Sequence, residues 1–279
     1  MRDDATVDLE AYARRIGLER PLAPDLDTLA HLVERHAAAI PFENIDVLAG
    51  RVPALDPASL EDKLVRRRRG GYCFEQNGYF LAVLRQAGFV AHALEARVRT
   101  GVPADAVTAR THRAVRVTVE GADWLADVGF GNLAPTGPLR LAERGVQRDP
   151  TSDYRFVDVD GELLLQCRTH EGWSDCYRIA PSEPQAIDFE MANWFIATHP
   201  NAFLRHNLLV ARSEPRGRVA LFNDRLTLRK SGAVAPEEQA VTTRAEFADV
   251  FRDVFGLEID AGDLEAVLAV LDRRAGQAR

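Results

Sequence analysis

The sequence predicts an α+β fold: a run of helices, then an antiparallel sheet or small barrel, then a mixed α/β segment. Three observations carry this. Apolar residues recur at helical spacing up to Gly88, they alternate in two-residue steps over much of 89–180, and both patterns occur beyond Pro181. At 279 residues the chain is long for one core and fits two or three packed subdomains.

The helices come first. Asp8 is placed to cap a short one that Gly17 ends, with Pro21 just beyond. Leu29, Leu32, Val33 and His36 mark a second, which the proline of PFENID breaks. SLEDKLVRR opens on Ser59 with Asp62 three residues on, a capping-box pattern with aspartate in the glutamate slot. After Gly70-Gly71, Phe74, Phe80, Leu81 and Leu84 mark a further helix that Gly88 terminates. Strands follow. HRAVRVTVE and WLADVGF read as a hairpin around Gly121, and DYRFVDVDGELLLQCRT as a second around Asp160-Gly161. DCYRIA offers another strand. In the last part VALFNDRLTLRK gives two short strands, TRAEFADVFRDVFG an amphipathic helix and GDLEAVLAVLDRR a final one.

Composition narrows the function. Apolar residues make up 46%, ordinary for a globular chain, and the net charge of −7 argues against a general nucleic-acid binder. No run is apolar and long enough to span a bilayer, and the acidic N-terminus lacks the apolar core of a signal peptide, so no membrane partner is expected. Cys73, Cys167 and Cys176 are too few for a disulfide framework and form no C-x-x-C pair, so a reducing, cytoplasmic setting and no metal are expected. Arginine outnumbers lysine 33 to 2, which reads as coding bias and reduces the weight of the run Arg66–Arg69.

Cys73 stands apart from the other two. Gly70 and Gly71 permit a sharp turn through backbone angles closed to other residues, and Cys73 then falls in the first turn of a helix. Unpaired N–H groups and the helix dipole favour an anion there, and thiolate is the reactive form of cysteine. The alternative is an inert buried cysteine. A nucleophile needs a base and the base an orienting group. Of seven histidines, His112 begins a strand whose hairpin partner carries LADVGFG, so Asp127 falls within a few positions of it across the turn. Asp127 lies among Leu125, Ala126, Val128 and Phe130, where a carboxylate needs a partner.

These segments resemble the arylamine N-acetyltransferase family. The matches are PFENID (41–46), RGGYCFEQN (69–77), THR (111–113), LADVGFG (125–131) and NWFIATHPNAF (193–203), in the family's order and at about its spacing. The resemblance implies a helical bundle over 1–88, a β-barrel over 89–190 and an α/β lid over 191–279, with a cysteine-protease-like triad of Cys73, His112 and Asp127. It implies ping-pong acetyl transfer from acetyl-CoA to an arylamine or hydrazine through an acetyl-cysteine. Phe42, Phe130 and Phe203 are then expected to line the acceptor pocket, and Thr111 to contact coenzyme A. Gly129 and Gly131 are expected to leave backbone exposed for the acyl chain or pantetheine, and Cys73 N–H to serve as an oxyanion donor. Arg66–Arg69 are expected to be solvated or ion-paired, one of them with Glu75. Glu43 and Asp46 are expected to make local polar contacts, and Cys167 and Cys176 to be structural. Two other activities fit the same triad order: an amide synthase of the family that closes a macrolactam, and a cysteine hydrolase of transglutaminase or papain type.

Overall fold

The computed structural model describes residues 6–103, 105–214, 216–231 and 235–277, and every structural statement below concerns those residues. The N-terminal part holds helices α1 (Leu9–Ile16), α2 (Leu26–Ala39), α3 (Ile45–Leu48), α4 (Pro57–Glu61) and α5 (Cys73–Gln86). Asp8 caps α1 by accepting from Ala11 N–H, and Gly17 ends it in the left-handed region at φ 64°. The capping box expected at Ser59 does not form. Asp56 caps α4 instead, accepting from Ser59 N–H at 3.0 Å. The reason is Pro57, whose ring presets a helical φ at the first position and starts the helix earlier. One π-helical turn, Asp62–Arg66, follows.

Eight strands form the central sheet: β2 (Val90–Val98), β3 (Arg110–Val119), β4 (Ala122–Ala126), β5 (Leu139–Arg140), β6 (Gln147–Asp149), β7 (Ser152–Val159), β8 (Glu162–Thr169) and β9 (Gly172–Ile179). They follow β1 (Phe42–Glu43) in the chain and run in the order β5-β4-β3-β2-β9-β8-β7-β6, all antiparallel. The sheet curls into a nearly closed barrel. Gln147 bridges the two edges, accepting from Arg140 N–H at 2.7 Å and donating to its carbonyl at 3.1 Å. Both predicted hairpin turns have two left-handed residues, Glu120-Gly121 and Asp160-Gly161, as a two-residue turn that matches the strand twist requires. Cys167 and Cys176 are free thiols in the barrel core with Tyr154, Phe156 and Tyr177.

Helix α6 (Ala186–Thr198) leads out of the barrel, and the boundary expected at residue 190 falls inside it. Strands β10 (Leu209–Glu214), β11 (Gly217–Phe222), β12 (Arg225–Lys230) and β13 (Glu237–Ala240) form an antiparallel sheet whose first strand is β1. Val210, Val219 and Leu221 on one face pack on Phe247, Phe251 and Val267 from α7 (Arg244–Asp249), its π-helical extension (Val250–Val254) and α8 (Ala261–Gln277). β1 thus ties the first part of the chain to the last.

Glu43 and Asp46, expected to make local contacts, belong instead to a buried long-range ion network. Lys63 Nζ donates to Asp46 and Glu75, both at 2.6 Å. Arg69 reaches Glu43 at 2.8 Å and Asp263 of α8 at 2.7 Å. Arg51 spans Asp46 and Asp263 at 2.6 and 2.5 Å. Glu75 is therefore partnered by Lys63 and not by an arginine of the 66–69 run, of which Arg66 and Arg67 pair with Glu61 and Asp62. Burial pulls the Lys63 ammonium down, but the carboxylates of Glu75, Glu43 and Asp46 outweigh it and hold it above its ordinary range. Removing one partner strands buried charge, so Lys63→Met is expected to destabilise the fold by ~3–5 kcal/mol. The urea midpoint would show it, and an unchanged midpoint at unchanged m-value would contradict it.

Candidate active site

Gly70 and Gly71 are required for space and not for special backbone angles, since neither has a positive φ. A Cβ on Gly70 would lie 2.1 Å from the Pro41 carbonyl oxygen, and one on Gly71 2.9 Å from Glu75 Cβ. The segment runs tight against β1, where Phe42 and Gly71 form a parallel bridge, and only side-chain-free residues fit. Tyr72 is extended and precedes the first turn of α5, and Glu75 accepts its N–H at 3.0 Å. Cys73 is the first residue of α5 and 6% exposed. Among the described residues its N–H has no acceptor, as the first turn of a helix leaves it.

His112 lies near the start of β3, and Asp127 directly follows β4, where Ala126 pairs with Val115. His112 Nε2 donates to Asp127 Oδ2 at 2.8 Å, and the Cys73 thiol lies near enough to the same ring to help raise its pKa. With Nε2 committed to Asp127, Nδ1 is the nitrogen left to exchange a proton with the thiol. The sulfur also lies 3.5 Å from the Thr111 carbonyl oxygen. The helix start and the hairpin, some 40 to 55 residues apart in sequence, thus meet as a continuous chain of sulfur, imidazole and carboxylate.

A family profile described as N-acetyltransferase matches residues 25–264. The arylamine N-acetyltransferase of Escherichia coli is 39% identical over 272 residues, covering 95% of this chain and 96% of the relative. The solved structure of the Mycobacterium marinum arylamine N-acetyltransferase superposes with a TM-score of 0.90 at 36% identity, over 95% of this chain and 99% of that one. The chain belongs to the arylamine N-acetyltransferase family. A second Mycobacterium marinum structure, solved in complex with CoA, matches with a TM-score of 0.88 at 35% identity, over 95% of this chain and 99% of that one.

The charge balance of this N-acetyltransferase site follows from its partners. Asp127 is fully buried and accepts four hydrogen bonds. His112 and the Tyr177 hydroxyl serve Oδ2 at 2.8 and 2.7 Å, and Asn77 Nδ2 and Gly129 N–H serve Oδ1 at 2.8 and 2.9 Å. Burial alone would raise its pKa, but His112 and these donors hold it below the ordinary carboxylate value. Burial alone would lower His112. The Asp127 charge and hydrogen bond, helped by Cys73, outweigh it and hold the imidazole at about 10, so it carries its proton at neutral pH.

Asn77 and Tyr177 are contributions that sequence reasoning did not assign. Asn77 lies one helical turn after Cys73 on α5, so the i, i+4 spacing in CFEQN was the signal for it. It also donates to the Arg113 carbonyl at 2.6 Å and accepts from Val128 N–H at 3.0 Å, which fixes the hairpin to the helix. Asn77→Ala is expected to cost ~2–3 kcal/mol, because buried backbone groups lose their partners. A chemical unfolding curve would measure this, and a shift below the experimental error would refute the pinning role. Tyr177 reaches the site across the barrel. Ala96 of β2 pairs with both His112 and Ile179, which sets β9 beside β3 across β2, and the Tyr177 ring lies 4.6 Å from His112. No local pattern signals that contact.

The expected substrate residues divide. Phe130 packs on His112 at 4.9 Å and on Tyr177 at 4.7 Å, and Phe42 lies in one cluster with Cys73. Thr111 presents its carbonyl, not its hydroxyl, to the sulfur; the hydroxyl turns to the Ala109 carbonyl. Gly129 and Gly131, expected to leave backbone open, are both buried. A Cβ on Gly129 would stand 2.7 Å from Asn77 Nδ2 and 2.9 Å from Cys73 Cα, so this glycine lets hairpin and helix touch and leaves no passage. Gly131 has a φ of 63° and faces the Phe42 ring. Phe203 is 59% exposed and stacks on Phe222, while its neighbour Leu204 packs against the Cys73 cluster.

Proposed function

We propose that Cys73, His112 and Asp127 carry out acetyl transfer from acetyl-CoA to an arylamine in two steps. The His112–Asp127 hydrogen bond, with the Cys73 thiol beside the same ring, supports this reading most directly. His112, charged in the resting site, already holds the proton taken from Cys73, and the thiolate attacks the thioester carbonyl of acetyl-CoA. Cys73 N–H, without an acceptor in the described chain, donates to the oxyanion. The C–S bond to CoA breaks, His112 gives its proton to the departing CoA sulfur, and Cys73 is left as a thioester. Acetylation removes the charge by which Cys73 raises His112, so the imidazole that has given up its proton stays neutral and free to accept one in the second step. The amine nitrogen attacks the acetyl-cysteine, His112 takes the nitrogen's proton, and Cys73 leaves as thiolate. Asp127 holds the imidazole in one orientation and stabilises its cation throughout.

Phe42 and Phe130 flank the sulfur and the imidazole, and an aromatic acceptor gains stacking there. Hydrazines present the same nucleophilic nitrogen and are included among the acceptors. Among the described residues no helix is long and apolar enough to cross a membrane. The three cysteines are free thiols, in keeping with a reducing setting such as the cytoplasm. Incubation with acetyl-CoA and no amine is expected to place one acetyl group on Cys73, read by peptide mass spectrometry, and later addition of an arylamine to remove it. Amide formation without any acetyl-enzyme would rule out the two-step route.

A further inference from the structure

Tyr12 of α1, His36 of α2 and Gln76 of α5 form a fully buried polar row inside the helical part, and no step of the transfer chemistry uses them. The Tyr12 hydroxyl meets His36 Nδ1 at 2.9 Å, and His36 Nε2 meets Gln76 Oε1 at 2.7 Å. Gln76 Nε2 donates to the carbonyls of Gly71 at 3.1 Å and Ile40 at 3.4 Å. Those two carbonyls decide where the protons of the row sit. They take the amide N–H groups of Gln76, so Gln76 Oε1 faces His36 and accepts. Burial, with Arg15 adding to it and the Gln76 hydrogen bond opposing, pushes the imidazole down to about 3, so His36 is neutral and has one N–H. That N–H is on Nε2, and Nδ1 accepts from Tyr12. Tyr12 and Phe80, whose ring packs edge-on against His36, belong to the apolar core. Apolar side chains there would pack without the cost of burying polar groups.

The row ends just before the nucleophile. The Gly71 carbonyl belongs to the peptide that joins Gly71 to Tyr72, and it accepts from Glu43 N–H at 3.1 Å as well as from Gln76. The N–H of the same peptide donates to Glu75 at 3.0 Å. Two neighbouring side chains of α5 thus hold both edges of this peptide plane, and the next peptide carries Cys73 N–H. We infer that Gln76, oriented by His36 and Tyr12, is a positioning residue that fixes the turn before Cys73 and so aims Cys73 N–H at the oxyanion. This rests on the acetyl-transfer reading, in which that N–H stabilises the charge formed when Cys73 attacks. A donor contributes fully only where the charge develops, and a peptide free to rock spends part of its time off that line.

Gln76→Met keeps a similar volume and removes both N–H groups. It is expected to lower CoA release in a single turnover at saturating acetyl-CoA about ten-fold, with half-saturation within about two-fold of wild type. Alkylation of Cys73 by iodoacetamide is expected to stay within about two-fold, because displacement at a saturated carbon forms no oxyanion. Tyr12→Phe removes only the hydroxyl that fixes the imidazole tautomer. It is expected to lower CoA release about three-fold, and by nothing further when added to Gln76→Met. Tyr12→Phe alone carries the comparison should Gln76→Met fail to fold. Equal losses in CoA release and alkylation would overturn the aiming role, because a loosened nucleophile slows both. Unchanged CoA release in both variants would overturn it too, whatever their urea midpoints. Failure of the wild-type protein to form any acetyl-enzyme would instead overturn the transfer reading, and this inference with it.

Discussion

Cys73→Ala is expected to reduce acetyl transfer by about 10⁴-fold or more. The effect is this large because, in the proposed mechanism, the acetyl group passes through the sulfur itself. His112 and Asp127 serve that sulfur and have nothing to activate without it. Cys73→Ser is expected to be nearly as inactive, since a hydroxyl gives up its proton far less readily than a thiol. Both variants should unfold near the wild-type midpoint, because the ion network and the Asp127 hydrogen bonds stay in place. The check is a stopped assay of CoA release and of amide formation. A serine variant with full transfer activity would end the mechanism.

Asp127→Asn comes next, with an expected loss of ~10²–10⁴ in kcat/KM. Aspartate accepts on both oxygens, from His112 and Tyr177 on one side and from Asn77 and Gly129 on the other. Asparagine turns one of those acceptors into a donor, so one pair of hydrogen bonds becomes a clash. His112 also loses the charge that raised it, and burial then pushes it below its ordinary value, leaving it neutral near pH 7.

The same shift has a stability signature with a definite sign. His112 is raised from 6.5 to about 10 on folding, so its contribution is complete below about 6.5 and is lost as pH rises through 10. Asp127 is lowered from 3.8, so its contribution is complete above that value and is lost as pH falls through its folded pKa. Wild-type stability is therefore expected to decline between pH 7 and about 10 by more than that of Asp127→Asn. Urea midpoints across that range measure the difference, and parallel curves would show that the pair is not ionised in the fold.

Much of the local architecture was legible because its causes are local. Asp8 and Gly17 bound α1, and Glu120-Gly121 and Asp160-Gly161 turn the hairpins, through angles and caps set by the residues themselves. Capping at Asp56 instead of Ser59 was missed although it too is local, because a proline at the first helical position outranks a hydroxyl two residues on. The ion network was not legible. Arg69 and Asp263 are 194 residues apart, and only the docking of α8 brings them together.

The site shows the same division. By itself the sequence determined which residues are chemically competent: a thiol at a helix start, and a histidine and a carboxylate across one hairpin turn. Helix and hairpin geometry follow from short-range spacing, so those positions could be named without a structure. Only the tertiary structure decided what surrounds them. It brought Asn77 and Tyr177 to Asp127, turned Gly129 from an opening into a contact, moved Glu75 from the arginine run to Lys63, and set Phe203 against Phe222. These contacts join elements distant in the chain, and a contact formed only when elements pack leaves no trace in the residues beside it.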